Sequence, residues 1–143
     1  MSLVYFDASA LVKLVVDEAG SDLAGELWDE CDAALTSRLS YPEVCAALAA
    51  AHRNHDLDAR GVRGADASWK TVWASMRVVE LSAAVADHAG LLARQHGLRG
   101  ADAVHLASAA LLGAADVIVA VWDRRLHTAT TATGLAVAPA TLP

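Results

Sequence analysis

The sequence predicts a three-layer α/β/α fold, in which helices cover both faces of a central parallel sheet of about five strands. Three observations lead to this prediction. Short apolar runs alternate with longer amphipathic segments along the chain. The runs carry Val, Leu or Ile on both faces, as do strands that are buried on both sides. Hydrophobic residues make up 55% of the chain but aromatic residues only 5%, which suits alanine-rich helices packed on a small sheet.

Strands are predicted at residues 3–6, 33–37, 77–81, 117–122 and 135–138. Helices are predicted at residues 8–16, 21–32, 41–55, 58–76, 82–96, 101–113 and 124–131. Strands that alternate with helices imply right-handed crossovers and a parallel sheet. The predicted helix caps and stops are Ser21, Ser40, Ser82, Gly97 and Gly113. No change of composition divides the chain, so residues 1–143 are predicted to form a single domain.

Net charge, hydropathy and cysteine content limit the classes of protein to which the chain can belong. The net charge is −6, from 11 Lys and Arg against 17 Asp and Glu, so a nucleic-acid role would need a local basic surface or metal ions. No window of about 18 residues is both uncharged and predominantly apolar, and no membrane span is expected. The first residues do not resemble a secretory signal, and a cytoplasmic location is expected. Cys31 and Cys45 are therefore predicted to be reduced, and their spacing does not suit zinc.

Four acidic residues lie where strands end or helices begin. Asp7 and Asp123 follow the first and fourth predicted strands directly, Glu43 is in the first turn of a helix, and Asp102 opens another. Open parallel sheets bind ligands beyond the carboxyl ends of their strands, so these side chains are expected to face one crevice. Each acid taken alone could instead be a helix cap, which is worth about 0.3–1 kcal/mol.

Four carboxylates at short range repel one another strongly, unless a cation neutralises them or some of them take up protons. A site built from oxygen ligands suits Mg²⁺ or Mn²⁺ rather than zinc. One or two such ions can hold a phosphate, activate water and stabilise a leaving oxygen. The sequence therefore suggests phosphodiester hydrolysis.

Four segments resemble the motifs of a known family. In order, they read YFDASALVKL from Tyr5, YPEVCAAL from Tyr41, LRGADAVHLASA from Leu98 and VWDRRL from Val121. Together they closely resemble a PIN domain, and look most like the VapC-type toxins of bacterial toxin–antitoxin pairs. The resemblance runs from the first strand to the GLAVAP segment near the C-terminus.

The resemblance implies a Mg²⁺-dependent ribonuclease, with Mn²⁺ as a possible substitute, that cleaves RNA by means of water activated by the metal. The metal-binding and catalytic acids of the family fall on Asp7, Glu43, Asp102 and Asp123, with Asp7 and Asp102 as the innermost ligands. Ser9 matches a hydroxyl residue that supports the acids, although a plain helix cap is the alternative. Many members carry Thr or Ser where this chain has Val121, so the metal site is expected to be organised differently there.

His105 lies on the same helix face as Asp102, and we expect a packed histidine that supports the metal site rather than a catalytic base. The remaining histidines are predicted to lie at the surface: His52, His55, His88, His96 and His127. Four arginines are predicted to surround the crevice and neutralise RNA phosphates: Arg38, Arg99, Arg124 and Arg125. Solubility or pairing with acids is the alternative role of each.

The expected partners are RNA, a cognate VapB-like antitoxin and further copies of the chain, as a homodimer or higher assembly. Trp69 and Trp73 lie one helical turn apart, a spacing typical of a core, although a partner contact is also possible.

Two other functions remain open. A haloacid-dehalogenase-like phosphatase needs a second aspartate where this chain has Ser9. A PIN-like protein-binding module would have lost catalysis, and would not bind metal through Asp7 and Asp102.

Overall fold

The structure is a computed structural model that describes residues 2–113 and 115–143. The strands of the described residues are β1 (Leu3–Phe6), β2 (Ala33–Ser37), β3 (Arg77–Val79), β4 (Val117–Ala120) and β5 (Ala136–Ala138). The helices are α1 (Ala8–Val15), α2 (Ser21–Glu30), α3 (Ser40–Arg53), α4 (Ala59–Ala74), α5 (Ala83–His96), α6 (Gly100–Ala110) and α7 (Arg124–Ala132).

The five strands form one sheet in the order β3-β2-β1-β4-β5, and every neighbouring pair is parallel. The predicted α/β/α class with a central parallel sheet is therefore confirmed. The chain builds the sheet outward from β1 to β3, and then returns to the other side of β1 to place β4 and β5. The strand order reverses between β1 and β4, and we call this place the switch point.

The period-two alternation of β1 divides the core between the two faces of the sheet. Val4 and Phe6 point into one apolar cluster, which α1, α3 and α4 complete with buried residues. Tyr5 points into the other cluster, which buried residues of α5, α6 and α7 complete. Because β1 is buried on both faces, its sequence is an unbroken apolar run rather than an alternating one.

Some strands are shorter than predicted. β4 ends at Ala120 rather than at Trp122, because the Trp122 backbone N–H donates to the Ser9 side-chain oxygen over 3.0 Å instead of joining the sheet. β3 ends at Val79, two residues early, and β5 begins at Ala136, one residue late. The chain thus leaves the sheet before Asp123, and this acid lies outside the strand.

Two of the predicted helix boundaries are confirmed. The Ser82 hydroxyl caps α5 by accepting from the Val85 backbone N–H over 3.2 Å. Gly97 ends the same helix with a φ of 63°, a left-handed conformation that favours glycine. Gly113 also has a positive φ, of 83°, but it lies beyond the end of α6 at Ala110.

The two other serine caps were wrong, because each hydroxyl bonds outside the helix that it was expected to cap. The Ser21 hydroxyl donates to the Val16 carbonyl over 2.9 Å and accepts from the Glu18 N–H over 3.0 Å. Ser40 is already inside α3, and its hydroxyl lies 2.7 Å from that of Thr36. Both helices begin without a side-chain cap.

The cysteine, tryptophan and histidine side chains lie in different surroundings. Cys31 and Cys45 are free. Trp69 is buried, as a core position requires, and Trp73 is half-buried. The prediction that His127 lies at the surface was wrong: the residue is buried, and its Nε2 donates to the Pro139 carbonyl over 2.8 Å. Within residues 2–113 and 115–143, no helix combines the length and the apolarity needed to cross a membrane.

Candidate active site

The carboxyl ends of β1 and β4 lie side by side at the switch point. Asp7 follows β1 directly, and Asp123 lies three residues beyond the end of β4. The Asp7 backbone N–H donates to the Ala120 carbonyl over 3.3 Å, which joins the two chain segments. Ligands of open parallel sheets bind at such a place, so the sheet delivers two of the predicted acids to the expected position.

Asp7 is almost fully buried, with 3% of its surface exposed. Its Oδ1 accepts from the Ala10 backbone N–H over 2.9 Å and from the Ser9 hydroxyl over 2.6 Å. Burial raises the pKa of Asp7 from 3.8 to about 6, against the lowering effects of His105 and of these hydrogen bonds. The carboxylate therefore carries a charge that its surroundings compensate only in part.

Asp123 is the N-cap residue of α7, as Asp7 is the N-cap residue of α1. Its Oδ1 accepts from the Leu126 backbone N–H over 3.0 Å, just as Asp7 caps α1. The helix-cap alternative is thus correct for both residues, but it accounts for one carboxylate oxygen of each. No hydrogen bond among the described residues uses the Oδ2 atom of either, which leaves that oxygen available to a ligand.

Ser9 connects the two acid-bearing segments. Its hydroxyl donates to Asp7 Oδ1 and accepts from the Trp122 backbone N–H. One side chain therefore fixes the carboxylate that follows β1 and the backbone that leads to Asp123. This geometry goes beyond a helix cap, since the cap of α1 is Asp7 itself.

Glu43 is the half-buried end of a hydrogen-bonded chain that continues into the core. Its Oε1 accepts from His105 Nε2 over 2.6 Å, and Nδ1 of the same ring lies 2.8 Å from the Tyr5 hydroxyl. Because a carboxylate only accepts, Nε2 carries a proton. Burial lowers the pKa of His105, but the hydrogen bond to Glu43 and the charges of Asp7, Glu43 and Asp102 more than offset it, so the net shift is upward. His105 is thus packed against an acid, as predicted.

Asp102 lies in the first turn of α6 and is half-buried. Burial raises its pKa, and the charges of Asp123 and Glu43 raise it further, while His105 and Arg99 lower it. Asp123 also raises the pKa of Asp7. These mutual effects link the four acids into one electrostatic group, which we call the acid cluster: Asp7, Glu43, Asp102 and Asp123.

The acid cluster fits a divalent cation by its chemistry. Its donors are carboxylate oxygens, the type that Mg²⁺ and Mn²⁺ prefer, and none of Asp7, Asp102 and Asp123 pairs with a Lys or Arg among the described residues. In that part of the chain, however, no three His, Cys, Asp or Glu side chains stand grouped to hold one ion. Oε1 of Glu43 is turned to His105, so side chains would have to move before the acid cluster could hold one ion together.

Val121 is fully buried in the apolar cluster that also contains Tyr5 and Leu126. Its backbone N–H donates to the Ala138 carbonyl over 3.0 Å. Its side chain therefore serves packing beneath the acid cluster. In this chain the hydroxyl that reaches the segment before Asp123 is that of Ser9.

The four arginines lie in different surroundings. Arg38 is on the β2–β3 side of the same sheet edge, where it pairs with Glu80 and stacks over Trp73. Arg99 is at the N-cap position of α6, close enough to lower the pKa of Asp102. Arg124 and Arg125 open α7 directly after Asp123. Arg99, Arg124 and Arg125 thus flank the acid cluster, whereas Arg38 is engaged elsewhere.

The part that Tyr5 plays was not predicted from the sequence. The sequence did contain an indication, because a tyrosine in a strand buried on both faces needs a partner for its hydroxyl. Its partner could not be identified in advance, since His105 is 100 residues away along the chain.

Comparisons with known proteins show the family to which the chain belongs. The family model of the PIN domain matches residues 4–129. Ribonuclease VapC49 of Mycobacterium tuberculosis (strain ATCC 25618 / H37Rv) is 63% identical over 142 residues, which cover 99% of each chain. Ribonuclease VapC45 of strain CDC 1551 / Oshkosh matches with the same values.

Solved structures share the fold at lower identity. The crystal structure of PAE2754 from Pyrobaculum aerophilum has a TM-score of 0.70 and 24% identity, and the match covers 95% of this chain and 90% of that one. A toxin–antitoxin complex from Klebsiella pneumoniae has a TM-score of 0.67 and 18% identity, with full coverage of both chains. At these identities the likeness concerns the fold alone.

Proposed function

This chain belongs to the PIN-domain family, among its VapC members, and from that premise we propose that it is a Mg²⁺-dependent endoribonuclease and the toxin of a toxin–antitoxin pair. The observation that carries the proposal is the acid cluster, in which Asp123 raises the pKa of the buried Asp7, and Asp123 and Glu43 raise the pKa of Asp102. Relatives that are 63% identical along the whole chain and bear the name ribonuclease support it.

The metal is proposed to be held by the acid cluster, with Asp7 and Asp102 innermost and with Glu43 and Asp123 completing the site. When bound, a divalent ion lowers the pKa of water and offsets the charge that builds up on a phosphate. The Oδ2 atoms of Asp7 and Asp123, which have no hydrogen-bond partner among the described residues, support this role, since Oδ1 of each is already used by a helix N-terminus. Mn²⁺ is expected to substitute for Mg²⁺.

The residues around the acids position them. Ser9 orients Asp7 and holds the segment before Asp123, while His105 fixes the direction of Glu43. The guanidinium groups of Arg99 and Arg125 are proposed to offset phosphate charge along the RNA. Arg38 would contribute only after its pair with Glu80 opens.

The biological role follows from the relatives. A VapB-like antitoxin is the proposed partner, since a chain of the same fold occurs in a toxin–antitoxin complex. Assembly into a homodimer or higher oligomer is part of the same proposal. A toxin that cleaves cellular RNA would act in the cytoplasm, a location that also keeps Cys31 and Cys45 reduced.

RNA cleavage by matched variants tests the proposed function. Asp7→Asn and Asp102→Asn should each lower Mg²⁺-dependent cleavage about a hundredfold or more, and should relieve growth arrest on expression. The control is Asp66→Asn, which removes an exposed carboxylate from α4 on the opposite face of the sheet from α6. Full cleavage by either site variant, or in excess EDTA, would contradict the proposal. If the wild-type protein neither cleaves RNA nor binds Mn²⁺, a protein-binding module is the better function.

A further inference from the structure

A cavity of about 290 Å³ lies between the end of α5 and one side of α7. His96 and Gly97 line it from α5, and Arg124, Arg125 and Thr128 line it from α7, together with two alanines. We call it the basic cavity. The small side chains of its wall leave room for a ligand beside the cationic and hydroxyl groups.

The arginines of the basic cavity are free to bind an anion. Neither forms an ion pair with an Asp or Glu side chain in residues 2–113 and 115–143. Arg124 uses one donor, since its Nη2 donates to the Pro143 carbonyl over 2.8 Å, and a guanidinium has five N–H donors. In a protein with a net charge of −6, two arginines that line one cavity and pair with no Asp or Glu of the described residues point to an anionic ligand.

We propose that the basic cavity binds an RNA phosphate next to the one that is cleaved, with Arg125 and Thr128 donating to its oxygens and His96 contacting it from α5. This inference rests on the proposed function. Asp123 caps α7, and Thr128 follows it by five residues, or about 7.5 Å along the helix axis. An RNA strand at the acid cluster therefore brings a neighbouring phosphate to this cavity, which favours RNA over an acidic peptide as the ligand.

Steady-state kinetics on RNA separate binding from chemistry. Arg125→Gln should raise KM roughly tenfold, because a charge-assisted hydrogen bond to phosphate is lost, and should leave kcat nearly unchanged. The slope of log KM against log salt should fall by about 0.7, the value for one single-strand phosphate contact. Thr128→Val and His96→Asn should raise KM by smaller factors. Arg63→Gln, an equal charge change on α4, should alter neither quantity, and thermal unfolding checks that each variant is folded.

A second measurement does not depend on activity. Inorganic phosphate should shift the amide NMR signals of Gly97 and Thr128 in the wild-type protein, and the shifts should disappear in Arg125→Gln but persist in Arg63→Gln. Equal phosphate binding by both variants would overturn the proposal, as would an unchanged KM for RNA. If phosphate binding depends on Arg125 while the wild-type protein cleaves no RNA, the proposed function fails and the anion site stands. If the variants of the basic cavity lose antitoxin binding but keep phosphate binding and the KM for RNA, the cavity binds a protein partner instead.

Discussion

The Nε2 atom of His105 lies 2.6 Å from Oε1 of Glu43, and Nδ1 of the same ring lies 2.8 Å from the Tyr5 hydroxyl. Both Tyr5 and His105 are buried, whereas the Glu43 side chain is 29% exposed. The chain thus runs from the core of the sheet to the rim of the acid cluster. It holds Glu43 in one direction, and it places the imidazole close to Asp7, Glu43 and Asp102.

Replacing His105 should destabilise the protein more than replacing Tyr5. His105→Asn leaves a buried hydroxyl and a partly buried carboxylate without their partner, which should cost about 2–4 kcal/mol in urea unfolding. Tyr5→Phe removes one hydrogen bond and should cost about 1 kcal/mol. A double-mutant cycle between His105→Asn and Glu43→Gln should give a coupling of about 0.5–3 kcal/mol. Additive effects in that cycle would show that the contact is not formed in solution.

Ser9→Ala should weaken both stability and metal binding. The variant loses the hydrogen bonds to Asp7 and to the Trp122 N–H, so we expect a loss of about 1–3 kcal/mol in the free energy of unfolding. Because Ser9 orients a proposed ligand, the Mn²⁺ affinity measured by calorimetry should fall about tenfold or more. The matched control is Ser68→Ala, at an exposed position of α4. If Ser9→Ala behaves like Ser68→Ala, the two hydrogen bonds of the Ser9 hydroxyl contribute neither to stability nor to metal binding.

The metal-free protein should become less stable as the pH rises from about 4 to about 7. The pKa of Asp7 is 3.8 ordinarily and about 6 in the folded protein, so the folded state binds the proton more tightly and loses that advantage as the carboxyl ionises. The shift corresponds to about 3 kcal/mol. The raised pKa of His105 acts in the same direction, because its imidazolium stabilises the fold at low pH.

Urea unfolding in EDTA at several pH values measures this effect. Asp7→Asn keeps the helix cap, since an asparagine oxygen also accepts, but it cannot ionise. The free energy of unfolding of the variant should therefore fall much less as the pH rises. At pH values above 6 the variant should be more stable than the wild-type protein. Mn²⁺ binding must displace the Asp7 proton, so below that pKa the affinity should rise about tenfold per pH unit. Identical pH profiles for the two proteins would contradict the assignment of the raised pKa to Asp7.

The sheet and the acid cluster could be predicted because both follow from local patterns. Each strand is a short apolar run, and each acid stands at a strand end or in the first turn of a helix. Parallel strands bring such positions to one edge whatever the details of the packing. Asp7 and Asp123 show the limit of this reasoning, because each is both a helix cap and a proposed ligand, roles that the sequence pattern presents as alternatives.

The details that could not be predicted depend on contacts between distant parts of the chain. Ser9 meets the Trp122 N–H across 113 residues, a contact that ends β4 early. Ser40 was expected to cap α3, but its hydroxyl meets that of Thr36, which itself donates to the Phe6 carbonyl 30 residues earlier. His127 looks like a surface residue until the segment at Pro139 folds over it. The pattern of polar residues along the chain contains none of this information.

Calorimetric titration of the purified protein with Mn²⁺ at pH 7.5, roughly 1.5 pH units above the Asp7 pKa of about 6, tests the central claim most directly. The wild-type protein and Asp66→Asn should bind the ion with the same affinity, and Asp7→Asn and Asp102→Asn should show a loss of about a hundredfold or no binding. Binding that is equal in all four proteins, or absent from the wild-type protein, would contradict the account of the acid cluster as a metal site.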